Sequence, residues 1–578
     1  MMWRQPPAAT LDLMRSRPRD EHPGPGVVSE SAVDIEETPD LQGAYPRLAE
    51  AHLTTLAGLG RRRAVRSEEI LFREGERDCD FFVILAGKVA LIEGRGTLEE
   101  RLIGVHGRGR FLGELGLLTD EGSFYTAITV QPGEVLAVPA ERLKEIIARD
   151  SALGDLIVRA YLTRRAILID LGAGLRIIGS RYSPDTRRVR EFAARNRVPY
   201  RWLDLETDPA AETFVAQAGV AAGDTPIVIV HGRLLRNPGN AELAAAIGLP
   251  VPATSPAGSD LVVVGAGPAG LSAAVYGASE GLRVLVLDGT ATGGQAGTTS
   301  RIENYLGFPA GISGAELAER AMLQARKFGA QFAVPAEAGS VRRDDGQYVV
   351  TLDDGTSVTA GAVVAASGAR YRRLQVPRAH YFEQMSIYYA ASQAEALMCR
   401  GDPVVIVGGG NSAGQAAVFL SRHAARVTMV VREPDLSEYM SRYLIDQVER
   451  IANVHIMLGT EIRELLGDRA LEAVTVEDRQ SGAQRTLKAR ALFVFVGVSP
   501  CTGWLADLVD LDGHGFVRTG HDAPSAPGTG WQRSALETSQ PGMFAVGDVR
   551  SGSAKRVAAA VGEGAMVIRL ALDRVRQA

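Results

Sequence analysis

The alternation of hydrophobic and polar positions separates a polar start from several regions of strands and helices. Residues 1–45 are rich in Pro, Arg and acidic side chains and show no apolar period. Such a segment buries too little surface to offset its chain entropy, so we expect a disordered arm. From about Leu48, short runs such as DFFVILAGKVALIEG and ERLIGV are separated by Gly and charged turns. They predict a small β-roll, followed by helices from about Ala140 to Ile169, in a domain at 46–168.

The rest of the pattern is typical of α/β domains. At 172–250 the strand-like runs LRIIGS, PYRWLDLE and TPIVIV alternate with helical stretches and predict a small domain of βαβ type. The segment GLPVPATSPAGSD provides a Pro- and Ser-rich linker at 251–259. Beyond it, Gly-rich strand–turn–helix units at Val262 and Val404 predict two Rossmann-type domains. The fold class is therefore α/β with several domains, which agrees with the length of 578 residues.

Composition and charge exclude several classes of function. Hydrophobic residues make up 46% of the chain and the formal net charge is −5, so we expect no nucleic-acid partner. The start lacks the apolar core of a signal peptide and no apolar run is long enough to span a membrane, so we expect a cytoplasmic protein without a membrane span. The three cysteines, Cys79, Cys399 and Cys501, are too scattered for a disulfide framework or a zinc site, and we expect no metal.

The first Gly-rich unit, LVVVGAGPAGLSAAVYGASEGLRVLVLD, has the features of a dinucleotide-binding turn. Gly265 permits the tight turn, Gly267 lets the backbone approach a pyrophosphate, and Gly270 lets the helix meet the strand. Asp288 ends the second strand, where an acid can hold a ribose hydroxyl. A glycine fingerprint alone also occurs for structural reasons. Here the preceding strand, the following helix and the spacing of the acid favour a nucleotide site.

The second Gly-rich unit, VVIVGGGNSAGQAAVFL, predicts a second dinucleotide-binding turn. Gly408, Gly410 and Ala413 occupy its three fingerprint positions.

The stretches GGQAGTTSRIENYLGFP, beginning at Gly293, and SQPGMFAVGDVRSGSAKRVAAAVGEG, near the C-terminus, resemble the flavin-contacting segments of the low-molecular-weight thioredoxin reductase family. The resemblance implies FAD as a cofactor, with hydride supplied by NADPH or NADH. It also implies that Asp548 binds the ribityl chain; a helix cap is the structural alternative for this acid. The other cofactor contacts implied by these stretches are Gly294, Gln295, Asn304, Gly547, Arg556 and Ala558.

The same resemblance places the NAD(P) domain inside the FAD domain. The segment ASGARYRRLQVP leads into the insertion, and GVSPCT marks the return. We therefore expect the FAD domain at 260–375 and 500–578 and the NAD(P) domain at 376–499.

The choice between NADPH and NADH depends on the charge at the end of the second strand of the NAD(P) domain, because guanidinium groups bind a 2′-phosphate. Arg432 stands where the family has a basic residue. Glu433 follows it, however, and Ser437 replaces a further expected Arg. This divided pattern favours NADPH only slightly.

In the family, a C-x-x-C pair just before the second Rossmann strand passes electrons from the flavin to a thioredoxin disulfide. Counting back from Gly408, this position is 391–394, which reads ASQA. Without sulfur, the thioredoxin reductase mechanism cannot run through this site. Cys399 and Cys501 are interpreted as packing residues. Glu395 falls where the family has an acid and is a candidate proton donor, although a solvated helix carboxylate is the commoner reason for such a residue.

The stretches LFREGERDCDFFVILAGKVALIEG and FLGELGLLTDEGSFYTAITV resemble the cyclic-nucleotide-binding domain and its phosphate cassette. The resemblance implies that Glu114 holds a ribose hydroxyl. Tyr125 stands where the family has the Arg that binds the cyclic phosphate. Such a charge-assisted contact contributes about 1.5–3 kcal/mol, so its loss weakens binding by about one to two orders of magnitude. We therefore expect a degenerate domain that dimerises or reports conformation.

The region 172–250 resembles the glutaredoxin and thioredoxin fold, with Thr225-Pro226 as its cis-proline turn. Its own C-x-x-C position, 180–183, reads SRYS and contains no sulfur. Ser183 followed by Pro184 is a good helix start. We expect a binding or docking element, and an internal mimic of thioredoxin is one hypothesis for it.

Together these features predict an FAD-dependent NAD(P)H oxidoreductase in which electrons pass from the flavin directly to an acceptor. The candidate acceptors are ferredoxin, flavodoxin, a quinone, oxygen or a thiol protein. One alternative is a thioredoxin-disulfide reductase that uses Cys399 or Cys501. Another is a redox- or ligand-sensing flavoprotein with little turnover. Because the family forms dimers, we expect a homodimer.

Overall fold

The fold is known from a computed structural model. It describes residues 36–77, 79–97, 100–119, 121–209, 211, 214–215, 224–249, 258–299, 301–383, 386–391, 393–468, 470–505, 508–523 and 533–575. Thr38–Ala578 forms one packed unit.

The N-terminal region is an antiparallel β-roll, as predicted. Its elements are α1 (Glu50–Ala57), β1 (Arg61–Val65), β2 (Ile70–Phe72), β3 (Phe81–Glu93), β4 (Arg101–His106), β5 (Phe111–Leu112), α2 (Glu114–Thr119), β6 (Thr126–Val138), α3 (Ala140–Arg149) and α4 (Ser151–Leu171). The sheet runs β1-β6-β3-β4, with β2 beside β6 and β5 beside β3. α4 begins after Asp150, which caps its start by accepting from the backbone N–H of Ala152 at 3.1 Å and Leu153 at 3.0 Å.

The segment before α1 differs from the expected disordered arm. The backbone N–H of Thr38 donates to the carbonyl of Val105 at 3.0 Å, and Arg110 donates to the carbonyl of Thr38 at 2.6 Å. Ala44 and Tyr45 are buried against the β-roll. The prediction of disorder for 1–45 is therefore wrong for residues 38–45, because a few apolar anchors and strand-like hydrogen bonds hold them. Residues 1–35 lie outside the described part of the chain.

The middle region is a small α/β domain with β7 (Leu175–Ile178), α5 (Pro184–Arg195), β8 (Tyr200–Leu203), β9 (Ile227–Val230), β10 (Arg233–Arg236) and α6 (Asn240–Ile247). Its sheet runs β10-β9-β7-β8, with β7 parallel to β8 and antiparallel to β9. Ser183 caps α5 by accepting from the backbone N–H of Thr186, with Pro184 in the first turn, as predicted. The Thr225-Pro226 peptide bond is cis. The second predicted helix falls mostly on 210–223, of which only 211, 214 and 215 are described.

The first Rossmann-type domain begins with β11 (Ser259–Val264), α7 (Pro268–Ser279), β12 (Val284–Leu287), α8 (Gly314–Lys327), β13 (Gln331–Ala333), β14 (Ala338–Asp344), β15 (Gln347–Leu352), β16 (Ser357–Ala365) and β17 (Ala369–Tyr371). β13, β12, β11 and β16 form a parallel sheet in this order, which continues through antiparallel β15 and β14.

The second Rossmann-type domain is inserted after β17. It contains α9 (Ala379–Glu383), β18 (Ile387–Tyr388), α10 (Gln393–Met398), β19 (Pro403–Val407), α11 (Asn411–Leu420), β20 (Arg426–Val430), α12 (Arg442–Arg450), β21 (Val454–Met457), β22 (Thr460–Leu466), β23 (Ala473–Asp478), β24 (Gln484–Lys488), β25 (Ala491–Val494) and β26 (Val498–Pro500). The parallel sheet runs β18-β25-β19-β20-β21, and β22-β23-β24 forms a separate antiparallel sheet.

The chain then returns to the first Rossmann-type domain. β17 and β26 pair as an antiparallel hinge, β27 (Met543–Ala545) joins the first sheet beside β16, and α13 (Val557–Val575) packs on α7. The predicted multidomain α/β fold with one Rossmann-type domain inserted in the other is confirmed. Among the described residues, none of the helices has both the length and the apolar character needed to cross a membrane.

Candidate functional site

The turn between β11 and α7 has the shape that the glycine spacing predicts. Gly265 has a φ of +107°, and a Cβ there would overlap the carbonyl oxygen of Ala366. A Cβ on Gly270 would overlap the carbonyl oxygen of Gly265. The close approach of strand, turn and helix therefore requires these two glycines.

Gly267 differs from its neighbours because the space beside it is open. The nearest atom to a Cβ at this position would be Cα of Gly294, at 3.9 Å. Gly267 is also the N-cap of α7 and provides no side chain to cap the helix. Uncapped N–H groups at a helix start, with room for close approach, suit a pyrophosphate. The residues present therefore fit a dinucleotide cofactor at this turn.

Asp288 lies at the mouth of the same turn, directly after β12. Its Oδ2 accepts from the backbone N–H of Ala266 at 2.9 Å. Its Oδ1 accepts from the N–H groups of Thr290 at 2.9 Å and Ala291 at 3.1 Å. A carboxylate has about four acceptor positions, so a ribose hydroxyl can still be bound. The same contacts hold the loop that follows β12 close to the glycine turn.

The loop 289–299 brings further predicted cofactor residues to this edge. Gly294 lies against Gly267, and the Gln295 amide donates to the carbonyl of Ala369 in the hinge strand β17. Asn304 is exposed, in a segment where Glu303 accepts from Gln447 of the NAD(P) domain at 3.0 Å. Gln295 thus reaches the centre of the site, whereas Asn304 lies at the boundary between the Rossmann-type domains.

Gly547 and Asp548 follow β27 and meet the start of α7. A Cβ on Gly547, whose φ is +72°, would lie 2.9 Å from Cβ of Ala269. Asp548 is half-buried, and burial raises the pKa of its carboxyl group while Lys555 opposes this shift. Among the described residues, none donates a hydrogen bond to the Asp548 carboxylate. It is therefore available to accept from a cofactor hydroxyl rather than acting as a helix cap.

The start of α13 forms the remaining side of the cradle. Arg556, just before this helix, donates to the Ser441 hydroxyl of the NAD(P) domain at 3.2 Å, and Ala558 is exposed in the first turn. Lys555 was missed in the sequence. Its φ is +50°, and its ammonium lies 3.9 Å from the ring centroid of Phe516. Partial burial lowers the pKa of Lys555 while Asp548 acts to raise it, so a cation stands beside the predicted ribityl contact.

Tyr371 is a second residue that the motifs did not identify. Its hydroxyl donates to Ser412, in the first turn of α11, at 3.4 Å, and its ring meets the edge of Phe495 at 5.7 Å. Burial raises the pKa of Tyr371, and the Asp548 charge acts in the same direction. The side chain thus lies between the NAD(P) turn and Asp548 of the FAD domain. Its position at the end of β17, just before the inserted domain, was the feature of the sequence that could have identified it.

The NAD(P) turn repeats the geometry of the first. Gly408 has a φ of +127° and lies against the carbonyl of Phe495. Gly410 is the N-cap of α11 without a side-chain cap, and the nearest atom to a Cβ there would be 3.9 Å away. Ala413 is fully buried under the helix. These residues fit a second nucleotide phosphate.

The two charged residues that follow β20, Arg432 and Glu433, form an ion pair with each other. Arg432 Nη2 lies 3.1 Å from Glu433 Oε1, and Glu433 Oε2 would lie 3.6 Å from a Cβ on Gly409. The carboxylate therefore faces the glycine turn more closely than the predicted cation does.

The region of the absent cysteine pair lies around β18 and α10. Cys399 is only 2% exposed, and burial raises the pKa of its thiol to about 11. Cys501 lies in the FAD domain, where burial raises its pKa and Arg370 opposes the shift. No disulfide joins the cysteines. Glu395 is half-buried in the first turn of α10. Burial raises the pKa of the nearby Tyr388 hydroxyl to about 12, and the charge of Glu395 acts in the same direction.

The middle domain contacts this same region. Arg187, in the first half of α5, donates through Nη1 to the carbonyl of Glu383 at 2.5 Å. Its guanidinium also lies 5.2 Å from the ring centroid of Tyr388. α5 is therefore held against the strand that precedes 391–394.

In the β-roll, the predicted ribose acid already has a partner. Glu114 Oε1 lies 2.5 Å from Arg164 Nη1, and both side chains are buried. Tyr125 is 2% exposed and packs 6.0 Å from the ring of Phe72. Both of these positions in the cassette are thus engaged by the chain's own side chains.

Comparisons with known proteins agree with this geometry. The pattern of the pyridine nucleotide-disulphide oxidoreductase family matches residues 259–564, and that of the cyclic nucleotide-binding domain matches 62–150. The "34.2 kDa protein in rubredoxin operon" of Clostridium pasteurianum is 32% identical over 312 residues, which cover 54% of this chain and 96% of that protein. The thioredoxin reductase of Treponema pallidum is 33% identical over 316 residues, 55% of this chain and 97% of that protein.

Solved structures show the same similarity. The Lactococcus lactis thioredoxin reductase in its FR conformation matches with a TM-score of 0.51 and 25% identity, covering 55% of this chain and 100% of that one. The T. acidophilum thioredoxin reductase matches with a TM-score of 0.50 and 30% identity, covering 55% of this chain and 98% of that one. With both nucleotide turns in place, the chain belongs to the pyridine nucleotide-disulphide oxidoreductase family, as a thioredoxin reductase-like, FAD-dependent NAD(P)H oxidoreductase fused to a cyclic nucleotide-binding domain.

Proposed function

We propose that this oxidoreductase passes electrons from FAD directly to its acceptor, without a protein dithiol. The observation that carries the proposal is the sequence ASQA at 391–394, the position of the cysteine pair in thioredoxin reductases. A methyl group has no redox chemistry. The acceptor must therefore take electrons at the flavin itself.

The remaining cysteines support the same conclusion. Cys399 is buried in the core of the NAD(P) domain, and Cys501 belongs to the FAD domain beside Arg370. The thiolate is the reactive form of cysteine, and burial raises the pKa of both thiols. Neither thiol thus has the low pKa that a redox cysteine needs at neutral pH.

The chain's own residues would hold the cofactors as follows. When bound, FAD accepts hydride from NAD(P)H and carries the electrons to the acceptor. We assign the pyrophosphate to the N–H groups near Gly267, a ribose hydroxyl to Asp288 and the ribityl chain to Asp548. The start of α13, with Arg556 and Ala558, would follow the flavin edge. Gly410 would receive the phosphates of NAD(P)H.

We further propose that the middle domain is a thioredoxin-like docking element. The order β10-β9-β7-β8, with parallel β7 and β8, supports this fold. The contact of Arg187 with Glu383 and Tyr388 supports a position of α5 beside the strand that precedes Ala391. A free thioredoxin that approached this region would be blocked by the middle domain. The middle domain therefore favours an acceptor that reaches the flavin by another route.

The test is anaerobic stopped-flow reduction of the FAD-loaded protein by NADPH and by NADH, followed by mixing with candidate acceptors. These are ferredoxin, flavodoxin, a quinone, oxygen and thioredoxin disulfide. Rubredoxin is added because one relative is described by its rubredoxin operon. The matched control is the double variant Cys399→Ser/Cys501→Ser.

We expect fast flavin reduction, reoxidation by at least one acceptor other than thioredoxin, and the same rates in the double variant. Reoxidation by thioredoxin disulfide that is lost in the double variant would overturn the proposal and support disulfide reduction through non-family cysteines. Reduction without reoxidation by any acceptor would instead support a sensing flavoprotein.

We propose a homodimer on the basis of the dimers formed by the family, and a cytoplasmic location on the basis of the sequence. Light scattering of the full-length protein at several concentrations tests the dimer, and a constant monomer mass would contradict it.

A further inference from the structure

One buried carboxylate joins the two N-terminal domains to the FAD domain. Glu319, on α8 of the FAD domain, is only 4% exposed. Its Oε1 accepts from the Tyr161 hydroxyl at 2.8 Å, and Arg165 Nε lies 3.6 Å away. On the other side, Arg197 Nε of the middle domain lies 2.8 Å from Oε2. Residues from three domains thus share one acid.

Arg165 connects this acid to the cyclic-nucleotide-type cassette. The side chain is 2% exposed and pairs with Glu121, in the middle of the cassette, through two contacts of 2.9 and 3.2 Å. It also donates to the carbonyls of Arg197 at 3.1 Å and Asn196 at 3.3 Å. Buried charges are tolerated only when they are paired and hydrogen-bonded, so these contacts hold the three domains in one arrangement.

We call Glu319 and its partners Arg165 and Arg197 the junction. Two routes of direct contacts lead from the junction to the loop 289–299, which follows Asp288 and carries Gly294 and Gln295. Asn196 donates through Nδ2 to the carbonyl of Thr290 at 3.0 Å. The N–H of Thr290 is itself bound by Asp288. The second route is α8, because a Cβ on its first residue, Gly314, would overlap the carbonyl oxygen of Ala296. Both routes end next to residues that are expected to touch FAD, because Thr290 is bound by Asp288 and Ala296 follows Gln295.

Part of the loop is not packed from behind. A cavity of about 70 Å³ lies between it and the junction, lined by Thr292, Gly294, Gly297, Asn196 and Glu319 among others. Where side chains do not fill the space, directional polar contacts decide the position of the backbone.

We propose that the N-terminal domains brace the FAD-binding loop, with Asn196, Arg165 and Glu319 as positioning residues that raise the affinity for FAD. This inference rests on FAD binding at the loop and not on the identity of the acceptor. Its test can therefore fail independently of the test of direct electron transfer.

The test measures the dissociation constant of FAD for the full-length apoprotein by quenching of flavin fluorescence, together with thermal unfolding of the apoprotein. The variants are Asn196→Asp, which removes the donor to Thr290 without changing size, and Glu319→Gln. The control is Glu93→Gln. Glu93 joins the β-roll to the middle domain by accepting from the N–H of Gly174 at 2.6 Å, and it belongs to neither route.

We expect Asn196→Asp and Glu319→Gln each to weaken FAD binding about tenfold, which corresponds to about 1.4 kcal/mol. We expect Glu93→Gln to lower the unfolding temperature with FAD binding unchanged. Unchanged FAD affinity in Asn196→Asp would overturn the proposal, as would an equal loss in Glu93→Gln. If Glu319→Gln does not fold, Asn196→Asp still decides the question, because its side chain is only half-buried.

Discussion

The carboxylate of Glu114 lies 2.5 Å from Nη1 of Arg164, and both side chains are buried. Arg164 comes from α4, 50 residues further along the chain, and also donates to the carbonyl of Phe111 at 3.1 Å. The acid that would meet a ribose in a cyclic-nucleotide-binding domain is therefore neutralised by the chain itself.

We predict that the full-length protein does not bind cyclic AMP or cyclic GMP at micromolar concentrations. Tyr125 provides no charge for the phosphate, and the lost contact is worth about 1.5–3 kcal/mol. Titration calorimetry with both nucleotides checks this. A saturable heat with a dissociation constant of a few micromolar would show that the cassette opens despite the Glu114–Arg164 pair.

Gly267→Ala should affect FAD binding, whereas Gly270→Ala should affect the stability of the fold. A Cβ at Gly267 meets only Cα of Gly294 at 3.9 Å, so the apoprotein should unfold near the wild-type temperature but lose FAD, because the methyl group occupies the pyrophosphate space. A Cβ at Gly270 overlaps the Gly265 carbonyl and should cost about 1–3 kcal/mol of stability. Flavin absorbance and thermal unfolding of both variants separate the two effects. Full FAD content in Gly267→Ala would contradict the assigned cradle.

Glu433→Gln should raise kcat/KM for NADPH relative to NADH about tenfold. The Glu433 carboxylate faces Gly409 and repels a 2′-phosphate, and its removal also releases Arg432 from the ion pair. Steady-state kinetics with both nucleotides measure the ratio. Glu438→Gln removes the same charge from an exposed position nearby and is the matched control. An equal change in both variants would point to general electrostatics.

Cys399 should react slowly with iodoacetamide at neutral pH. Burial raises the pKa of its thiol to about 11, so the nucleophilic thiolate is scarce at pH 7 and accumulates only as the pH approaches that value. Mass spectrometry of the peptide containing Cys399 after timed alkylation from pH 7 to 10 measures the rate. Rapid labelling at pH 7 would revive a role for this thiol, and Cys501 in the same digest is the internal comparison.

Local features could be predicted from the sequence because they depend on neighbouring residues. The start of α5 at Ser183 and Pro184 follows from capping chemistry alone. The turns at Gly265 and Gly408 follow from backbone conformations that glycine adopts readily. The order of residues 38–45 could not be predicted, because it depends on distant residues. Their composition is polar, but Ala44 and Tyr45 are buried against a surface that exists only in the folded β-roll.

The sequence by itself determined the order of the domains, both nucleotide-binding turns and the absence of sulfur at 391–394, since periodicity, glycine spacing and residue identity are all local. Tertiary structure alone decided that Glu114 is paired with Arg164, that Tyr371 lies between the NAD(P) turn and Asp548, and that Glu319 joins three domains. Tyr161 and Glu319 are 158 residues apart, and no local pattern marks them as partners. Burial makes the pairing obligatory, because a charge removed from water must be compensated by whichever residue the fold brings beside it.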